Sequence, residues 1–319
     1  MGEPMANPKL STVTRTQGNN QAVKDGSVMP ATANLVFEEV PVLVDAFRRM
    51  VQGLEFDVCE MAFTTYLCAK AHGKPFTALP VFLVRGFHHG AILVNTEAGI
   101  ARATDLEGRR VGVHRGYTVT TGVWARGILQ DELGVDLDRV TWVVSGDEHV
   151  AEYRPPANVV PMAPGAALAD LVGTGELAAV VGADVDRPTV APLFDDPVEA
   201  GYAAFRQRGL YPINHLLVVK DDLLHAYPDL GADLFDTFAR AKRRYVERLG
   251  AGDIADPTAT DLMYRQVMDM TGEDPLPYGV EPNRLMIELL VDHAVRQRIL
   301  EHALAVEDLF AEGTQQLVG

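Results

Sequence analysis

An arginine and several histidines follow apolar stretches of the sequence, at positions where they could bind and protonate an acid. Arg85, His88 and His89 come after the run L-P-V-F-L-V, and His215 comes after Y-P-I-N. A guanidinium binds a carboxylate through two parallel N–H bonds, and a histidine transfers protons near neutral pH. We therefore expect Arg85 to anchor a carboxylate and either His89 or His215 to donate a proton. The alternatives are a surface loop for the first group and a structural role for His215.

A stretch between residues 111 and 133 predicts a short buried strand, a glycine-bearing loop and a helix. The loop carries hydroxyl groups up to the helix start, where free backbone N–H groups and a partial positive charge favour an anion. The alternative is an ordinary N-cap, because threonine caps helices routinely. A second junction of this kind follows F-D-V-C, where we expect Glu60 at a helix start. The side chains expected to bind a ligand at the two helix starts are Thr64, Thr65, Tyr117, Thr118, Thr120 and Thr121.

The charged loop S-G-D-E-H-V-A-E-Y-R-P-P, at residues 145–156, has two interpretations. Its acidic residues and His149 could form a metal cluster, but matches of this kind often occur by chance. We favour a solvated loop, from which Arg154 reaches a ligand, and we expect no metal ion. His88 and His89 do not form a joint metal site either, because adjacent side chains of an extended strand point to opposite faces.

Strand patterns alternate with helical patterns along the chain, which predicts the α/β fold class with mostly parallel sheets. Ligands of such folds bind at the carboxyl ends of strands, where the polar loops of this chain lie. One of these loops contains Asn19, and Asn214 stands beside His215, so we expect both asparagines to contact the ligand. Residues 1–8 are expected to be a disordered lead, and the chain from Pro228 onward is predicted to be helical. The predicted strands cover residues 10–16, 34–40, 56–59, 79–84, 91–94, 111–113, 140–144, 159–162, 177–181 and 216–219.

The composition argues against several classes of function. The chain has 319 residues, of which 47% are hydrophobic and 23% charged, as in an ordinary soluble protein long enough for two lobes. Its formal net charge of −16 argues against nucleic acid or a membrane surface as a partner. Cys59 and Cys68 lie in an apolar stretch and are expected to be reduced core residues. We expect a cytoplasmic protein, since the N-terminus lacks a secretory signal and no apolar run is long enough to span a membrane.

Six stretches resemble the 4,5-dihydroxyphthalate decarboxylase family, which is built on the type II periplasmic-binding-protein fold. They occur in the family's order and together cover nearly the whole chain. The resemblance is weaker in residues 112–121 and 145–156, which adjoin the expected ligand site, so the acid that binds can differ from the family's phthalate. The six stretches are F-D-V-C-E-M-A-F-T-T-Y-L (56–67), R-G-F-H-H (85–89), L-E-G-R-R-V-G-V (106–113), V-W-A-R-G-I-L (123–129), G-L-Y-P-I-N-H (209–215) and P-Y-G-V-E-P-N-R (277–284).

The resemblance implies two α/β lobes with a ligand cleft between them, joined by two crossing strands near residues 90–95 and 213–219. Lobe one would contain residues 1–92 and 214–319, including the C-terminal helices. Lobe two would be an insertion of residues 93–213. The implied catalytic residues, at the hinge and at the helix start of lobe one, are Arg85, His89, His215 and Glu60.

The implied function is the cofactor-independent decarboxylation of a hydroxylated aromatic carboxylic acid. A ring hydroxyl pushes electrons into the ring, a general acid protonates the carbon that bears the carboxylate, and loss of carbon dioxide restores the aromatic ring. The sequence contains no P-loop, dinucleotide, G-x-S-x-G or H-E-x-x-H motif, which agrees with a reaction that uses no cofactor. The expected partner is a small anionic aromatic substrate, and homo-oligomerisation stays open.

Two other functions are compatible with the same fold. The first is a solute-binding protein for a small organic acid, without catalysis, although such a receptor must be exported and the sequence lacks a signal. The second is another cytosolic enzyme on this fold, such as the menaquinone-pathway enzymes that act on futalosine derivatives. An arginine with histidines fits a small acid better than a nucleoside.

Overall fold

A computed structural model describes residues 7–319, so most of the expected disordered lead over residues 1–8 lies outside the described residues. Within residues 7–319 the chain forms eleven β-strands and ten α-helices, joined by loops and short 3₁₀ turns. The strands are β1 (Lys9–Val13), β2 (Asn34–Phe37), β3 (Val58–Ala62), β4 (Phe76–Arg85), β5 (Ile92–Asn95), β6 (Arg110–Val113), β7 (Thr141–Val144), β8 (Val159–Pro161), β9 (Ala179–Val181), β10 (Val190–Pro192) and β11 (Ile213–Lys220). The helices are α1 (Gln21–Lys24), α2 (Leu43–Gly53), α3 (Phe63–Ala71), α4 (Thr120–Asp131), α5 (Leu168–Gly173), α6 (Pro197–Arg208), α7 (Asp221–Ala226), α8 (Leu230–Ala251), α9 (Ala259–Thr271) and α10 (Arg284–Arg296).

The chain divides into two compact units, each with its own sheet. The first unit contains the chain up to Gly86 together with Ile213–Ile287 and Leu304–Gly319. The second contains Phe87–Pro212 and Glu288–Ala303. Four chain connections therefore join the units rather than the predicted two, and the unit boundary falls within α10.

The segment 288–303 corrects the predicted lobe boundaries, because it belongs to the second compact unit. Gln297 donates a hydrogen bond to the carbonyl of Val123 at 2.9 Å and accepts one from Arg126 at 2.8 Å. These contacts hold the segment against α4. The strand near residues 90–95, predicted as a crossing strand, is β5 and lies entirely within the second sheet.

The first sheet has the strand order β2-β1-β3-β11-β4. Strand β1 is parallel to β2 and β3, whereas β11 is antiparallel to both β3 and β4. The first residues of β11 therefore lie beside the carboxyl ends of β1, β3 and β4. The segments that follow β1, β3 and β4 therefore lie at one edge of the sheet, together with the start of β11.

The second sheet has the strand order β10-β5-β9-β6-β7-β8. Strands β9, β6, β7 and β8 are parallel, while β5 runs antiparallel to β9 and β10. Five of the nine strand pairs within residues 7–319 are parallel, so the prediction of mostly parallel sheets holds by a narrow margin, although each sheet mixes both kinds of pair. Strand β10 was not predicted, because its three residues at the sheet edge show no apolar alternation.

The apolar core follows the predicted patterns. All five residues of β3 are buried, as expected for a strand covered on both faces. The buried side of α8, in the part of the chain predicted to be helical, carries Leu234, Phe238 and Tyr245. Cys59 and Cys68 are buried free cysteines, as predicted. Among the helices of residues 7–319, none combines the length and hydrophobicity that crossing a membrane requires.

Candidate active site

Glu60 lies inside strand β3 and not at a helix start, which corrects the sequence prediction. The strand continues to Ala62 because it pairs with β11, where Leu217 stands opposite Glu60 and His215 opposite Ala62. The Glu60 side chain is fully buried, and its Oε2 accepts the backbone N–H of Arg15 at 2.8 Å. A buried carboxylate therefore lies in the first sheet, on the strand that pairs with the start of β11.

His215 forms a close pair with this buried carboxylate. Its Nδ1 lies 2.6 Å from Oε1 of Glu60, and its ring meets the Phe47 ring edge-on at 5.2 Å between centroids. A carboxylate only accepts hydrogen bonds, so Nδ1 carries the proton of this contact. The other ring nitrogen, Nε2, is then the atom that can exchange a proton with a ligand, and the side chain retains 14% exposure.

Arg85 ends strand β4 at the same edge of the sheet. Its side chain is 4% exposed, and its backbone N–H donates to the hydroxyl oxygen of Tyr264 at 3.3 Å. Burial raises the pKa of Tyr264 to about 12, so this phenol stays protonated at neutral pH. Two residues before Arg85, the carbonyl of Leu83 accepts a hydrogen bond from Nδ2 of Asn19 at 2.9 Å. The predicted residues Asn19, Arg85 and His215 are thus carried by neighbouring segments of one sheet edge.

A cavity of about 420 Å³ adjoins these segments within the first unit. This volume falls in the range of about 300–1,000 Å³ that is typical of small-molecule sites. Its walls come from the loop after β1, from α8 and from the start of α9. The lining residues are Arg15, Thr16, Gln17, Gly18, Asn19, Gln21, Tyr245, Thr258, Thr260, Asp261 and Tyr264.

The second unit contains another histidine–glutamate pair. Nε2 of His89 lies 3.1 and 3.2 Å from the two carboxylate oxygens of Glu132, which also receives an ion pair from Arg208. Burial opposes ionisation of Glu132, but the hydrogen bonds from His89 and Arg208 outweigh it and hold its pKa below the usual value. The imidazole is 1% exposed and packs edge-on against Phe194. Its Nδ1 is buried without a hydrogen-bond partner among residues 7–319.

The chain's own Glu148 occupies an anion position in the loop that leads into α4. The backbone N–H groups of Tyr117 and Thr118 donate to the two oxygens of this carboxylate, the second at 3.1 Å, and the Thr118 hydroxyl donates at 2.6 Å. An internal carboxylate therefore accepts the backbone N–H groups of Tyr117 and Thr118, and the predicted binding of a ligand anion at this helix start stays a prediction. The predicted solvated state of the 145–156 loop is wrong at this point, since Glu148 is half-buried and His149 is 3% exposed.

Arg126 supports this helix start from within the second unit. Its fully buried guanidinium donates to the carbonyl of Tyr117 at 2.6 Å and lies 3.8 Å from the centre of the Tyr117 ring. A cation over an aromatic face is attracted by the ring quadrupole. The Tyr117 ring therefore packs against Arg126, while its backbone amide holds Glu148.

The remaining predicted binding residues take varied positions. Thr64 and Thr65 are fully buried in the first turn of α3, and Thr120 is 2% exposed at the first residue of α4. Arg154 is exposed, and its Nη1 donates to the carbonyls of Ala151 and Tyr153 in its own loop. The half-buried members of the set are Thr121, at the start of α4, and Asn214, in β11. Within residues 7–319, no group of three or more histidine, cysteine, aspartate or glutamate side chains is arranged to hold a metal ion.

Three residues of these sites were missed from the sequence. Tyr264 lies 179 positions from Arg85, and no motif marks it. Glu132 lies at the end of the predicted helix of the second unit and resembles any charged helix end. The sequence identifies Glu148 only as part of a charged loop, although a carboxylate close in sequence to a helix start favours a contact with its N–H groups.

The fold assigns the chain to a class, the proteins with a periplasmic-binding-protein-like fold. The structure is similar to the periplasmic aliphatic sulphonate binding protein SsuA from Escherichia coli, with a TM-score of 0.52 and 12% identity over 99% of this chain and 100% of that one. It is also similar to the desulfurization enzyme DSZB, with a TM-score of 0.52 and 15% identity over 97% and 98% of the two chains. The predicted α/β fold class is thereby confirmed.

Sequence comparison narrows this class to one family. A 4,5-dihydroxyphthalate decarboxylase from Comamonas testosteroni is 31% identical over a 269-residue alignment that covers 78% of this chain and 81% of that protein. A protein of the same name from Pseudomonas putida is 34% identical over a 176-residue alignment that covers 51% of this chain and 68% of that protein. The chain belongs to the 4,5-dihydroxyphthalate decarboxylase family, as its motifs predict. No family model matches the chain.

Proposed function

We propose that the protein is a carboxy-lyase that removes carbon dioxide from a hydroxylated aromatic carboxylic acid without a cofactor. Both relatives described above are named as decarboxylases of 4,5-dihydroxyphthalate, which supports the reaction class and the substrate class. The observation that carries the proposal is the pair of His215 with the buried Glu60, at the sheet edge where Arg85 ends β4. This edge supplies the proton donor and the anion anchor that the reaction needs.

The reaction requires one proton and no external electrons. Nε2 of His215 in its imidazolium form protonates the ring carbon that bears the leaving carboxylate, and a hydroxyl para to this carbon supplies electron density to the ring. The bond between the ring carbon and the carboxylate then breaks, its electron pair restores the aromatic ring, and carbon dioxide leaves. The neutral imidazole regains a proton from solvent. The protonated ring, whose positive charge the hydroxyl stabilises, accepts the electron pair of the breaking bond, which supports a reaction without a cofactor.

Arg85 anchors the carboxylate that is retained. A guanidinium bound to the leaving carboxylate would stabilise its charge and oppose the loss of carbon dioxide, whereas the second carboxylate of a phthalate keeps its charge throughout. Glu60 acts as a positioning residue, because it orients the His215 ring and stabilises the imidazolium without touching substrate. Asn19, in the loop after β1, and Asn214, next to His215 in β11, lie at the same edge of the first sheet. Both are proposed to contact the aromatic ring of the substrate.

His89 is the alternative proton donor, and its surroundings make it the weaker choice. Its imidazole is 1% exposed, compared with 14% for His215, and one of its ring nitrogens faces Glu132. The helix start of α4 is likewise a weaker anchor than Arg85, since Glu148 fills it. Thr64, Thr65, Thr120, Thr121 and Arg154 stay predictions as substrate contacts.

Release of carbon dioxide from purified protein tests the proposal. Suitable substrates are 4,5-dihydroxyphthalate, 4-hydroxyphthalate and phthalate, and we expect release from the hydroxylated acids and none from phthalate. His215→Asn, which keeps a hydrogen-bond donor near Glu60 but cannot transfer a proton, should abolish it. Dialysis against EDTA should leave the rate unchanged. Tight binding of these acids with no release from any of them would replace the proposal by a solute-binding function.

A further inference from the structure

We propose that the cavity beside the Gln17–Asn19 loop is the subsite for the ring hydroxyl groups of the substrate, and that Gln17 and Asn19 are its specificity-determining residues. The aromatic identity of the ligand rests on the proposed function. The preference for hydroxyl groups rests on the cavity itself. All residues of the cavity belong to the first unit.

Two residues that line this cavity each carry a polar atom that is buried without a hydrogen-bond partner among residues 7–319. These atoms are Oδ1 of Asn19, whose side chain is 2% exposed, and Nε2 of Gln17. The orientation of the Asn19 amide is determined, because Nδ2 donates to the Leu83 carbonyl at 2.9 Å and a carbonyl can only accept. Buried polar groups are costly unless they are paired, so these two atoms call for a ligand or water that pairs them.

The hydrogen-bonding roles of these two atoms indicate which chemical group of a ligand would fit the cavity. Asn19 Oδ1 accepts a hydrogen bond, and Gln17 Nε2 donates one. A carboxylate has no donor for Asn19, and an ammonium group has no acceptor for Gln17. A hydroxyl offers both functions, and two neighbouring ring hydroxyls can use one atom each. The cavity therefore fits a phenol or a catechol edge rather than a second charged group.

The ring of Tyr245 supports the loop that carries both amides. A Cβ added to Gly18 would lie 2.1 Å from the Tyr245 ring, so the glycine lets the loop backbone rest directly on this ring. The Tyr245 hydroxyl donates to Asp261, which also accepts from the Thr258 hydroxyl at 2.7 Å. Polar groups on a supported loop are preorganised, which lowers the cost of binding.

Two contacts connect the cavity to the proposed catalytic groups. Tyr264 lines the cavity, and its hydroxyl oxygen accepts the backbone N–H of Arg85. Arg15 lines it as well, and its backbone N–H donates to Glu60. A ring whose carboxylate meets Arg85 thus has the cavity next to it for its hydroxyl groups.

Equilibrium binding of two matched probes tests the subsite. Benzoate and 3,4-dihydroxybenzoate carry the same carboxylate and differ only in their hydroxyl groups. Gln17→Met keeps the length of the side chain and removes the amide. It should weaken binding of 3,4-dihydroxybenzoate about tenfold, or about 1.4 kcal/mol, and should change benzoate affinity less than about twofold. Gln21→Met is the matched control, because Gln21 lines the same cavity but is exposed, and it should alter neither affinity.

A second variant, Asn19→Leu, should show the same selective loss for the hydroxylated probe. An equal loss for both probes, no loss for either, or no binding of 3,4-dihydroxybenzoate to the unmodified protein at millimolar concentration would overturn the inference. Hydroxyl-selective binding together with failure to release carbon dioxide from any acid would remove the proposed function and leave the subsite standing. Release of carbon dioxide by the unmodified protein, together with a Gln17→Met variant whose affinity for 3,4-dihydroxybenzoate is unchanged, would remove the subsite and leave the proposed function standing.

Discussion

Replacing Glu60 by glutamine should slow catalysis with little effect on substrate binding. The substitution keeps the shape of the side chain and an oxygen for the Arg15 amide, but it removes the negative charge that lies 2.6 Å from His215 Nδ1. A hydrogen bond to a charged group contributes about 1.5–3 kcal/mol. If this energy stabilises the imidazolium that protonates the ring, kcat falls by about 10- to 150-fold. KM should change less than about threefold, because Glu60 does not touch substrate.

The second histidine–glutamate pair supplies a matched control for this prediction. Glu132→Gln makes the same change beside His89, and kcat should stay within about threefold of the unmodified enzyme. The assay is steady-state release of carbon dioxide from 4,5-dihydroxyphthalate, with thermal unfolding to verify that both variants are folded. A large loss in Glu132→Gln with a near-normal Glu60→Gln would refute the reasoning and make His89 the proton donor.

Three other substitutions test the anchor, the helix start and a buried histidine. Arg85→Lys should raise KM about tenfold in the same assay, because lysine cannot bind a carboxylate through two parallel bonds; an unchanged KM would place the anchor elsewhere. Glu148→Gln should lower the free energy of unfolding by about 1–2 kcal/mol in denaturant titrations, since the Glu148 carboxylate accepts hydrogen bonds from Tyr117 and Thr118. The variant should leave kcat/KM nearly unchanged. A rise in substrate affinity would instead make this helix start the substrate anchor. Burial lowers the pKa of His293 from 6.5 to about 4. Between these two pH values the unfolded chain binds a proton on this histidine that the folded protein does not bind. The free energy of unfolding therefore falls as the pH drops from about 6.5 towards about 4. The loss at pH 5 relative to pH 7 should be about 2 kcal/mol smaller in His293→Gln, and equal pH dependence in both proteins would contradict this.

The sequence predicts the architecture and part of the site. Apolar periodicity identifies ten of the strands approximately, and Arg85 and His215 are expected at strand ends, where the structure has them. Such features are local, because a strand pattern and the loop that follows it lie within about ten residues. The family motifs then supply the order of the elements.

The contacts that define the site are not local and could not be predicted in this way. Glu60 and His215 are 155 positions apart, and they meet only because β11 inserts between β3 and β4. The same pairing extends β3 through Glu60, where the sequence predicts a helix start. The sequence shows that the Gln17–Asn19 loop is polar. It does not show which amide atoms are unpaired, because that depends on the folded cavity, which Tyr245 and Tyr264 also line.

The most direct test of the central claim is decarboxylation of 4,5-dihydroxyphthalate in deuterated water, followed by mass spectrometry and proton NMR of the product. Protonation of the ring carbon by His215, with loss of one carboxylate, predicts one carbon dioxide per substrate and one deuterium at the vacated ring position. The His215→Asn variant should give neither. Carbon dioxide release that persists in this variant, or an intact substrate in the presence of the unmodified protein, would contradict the proposed mechanism.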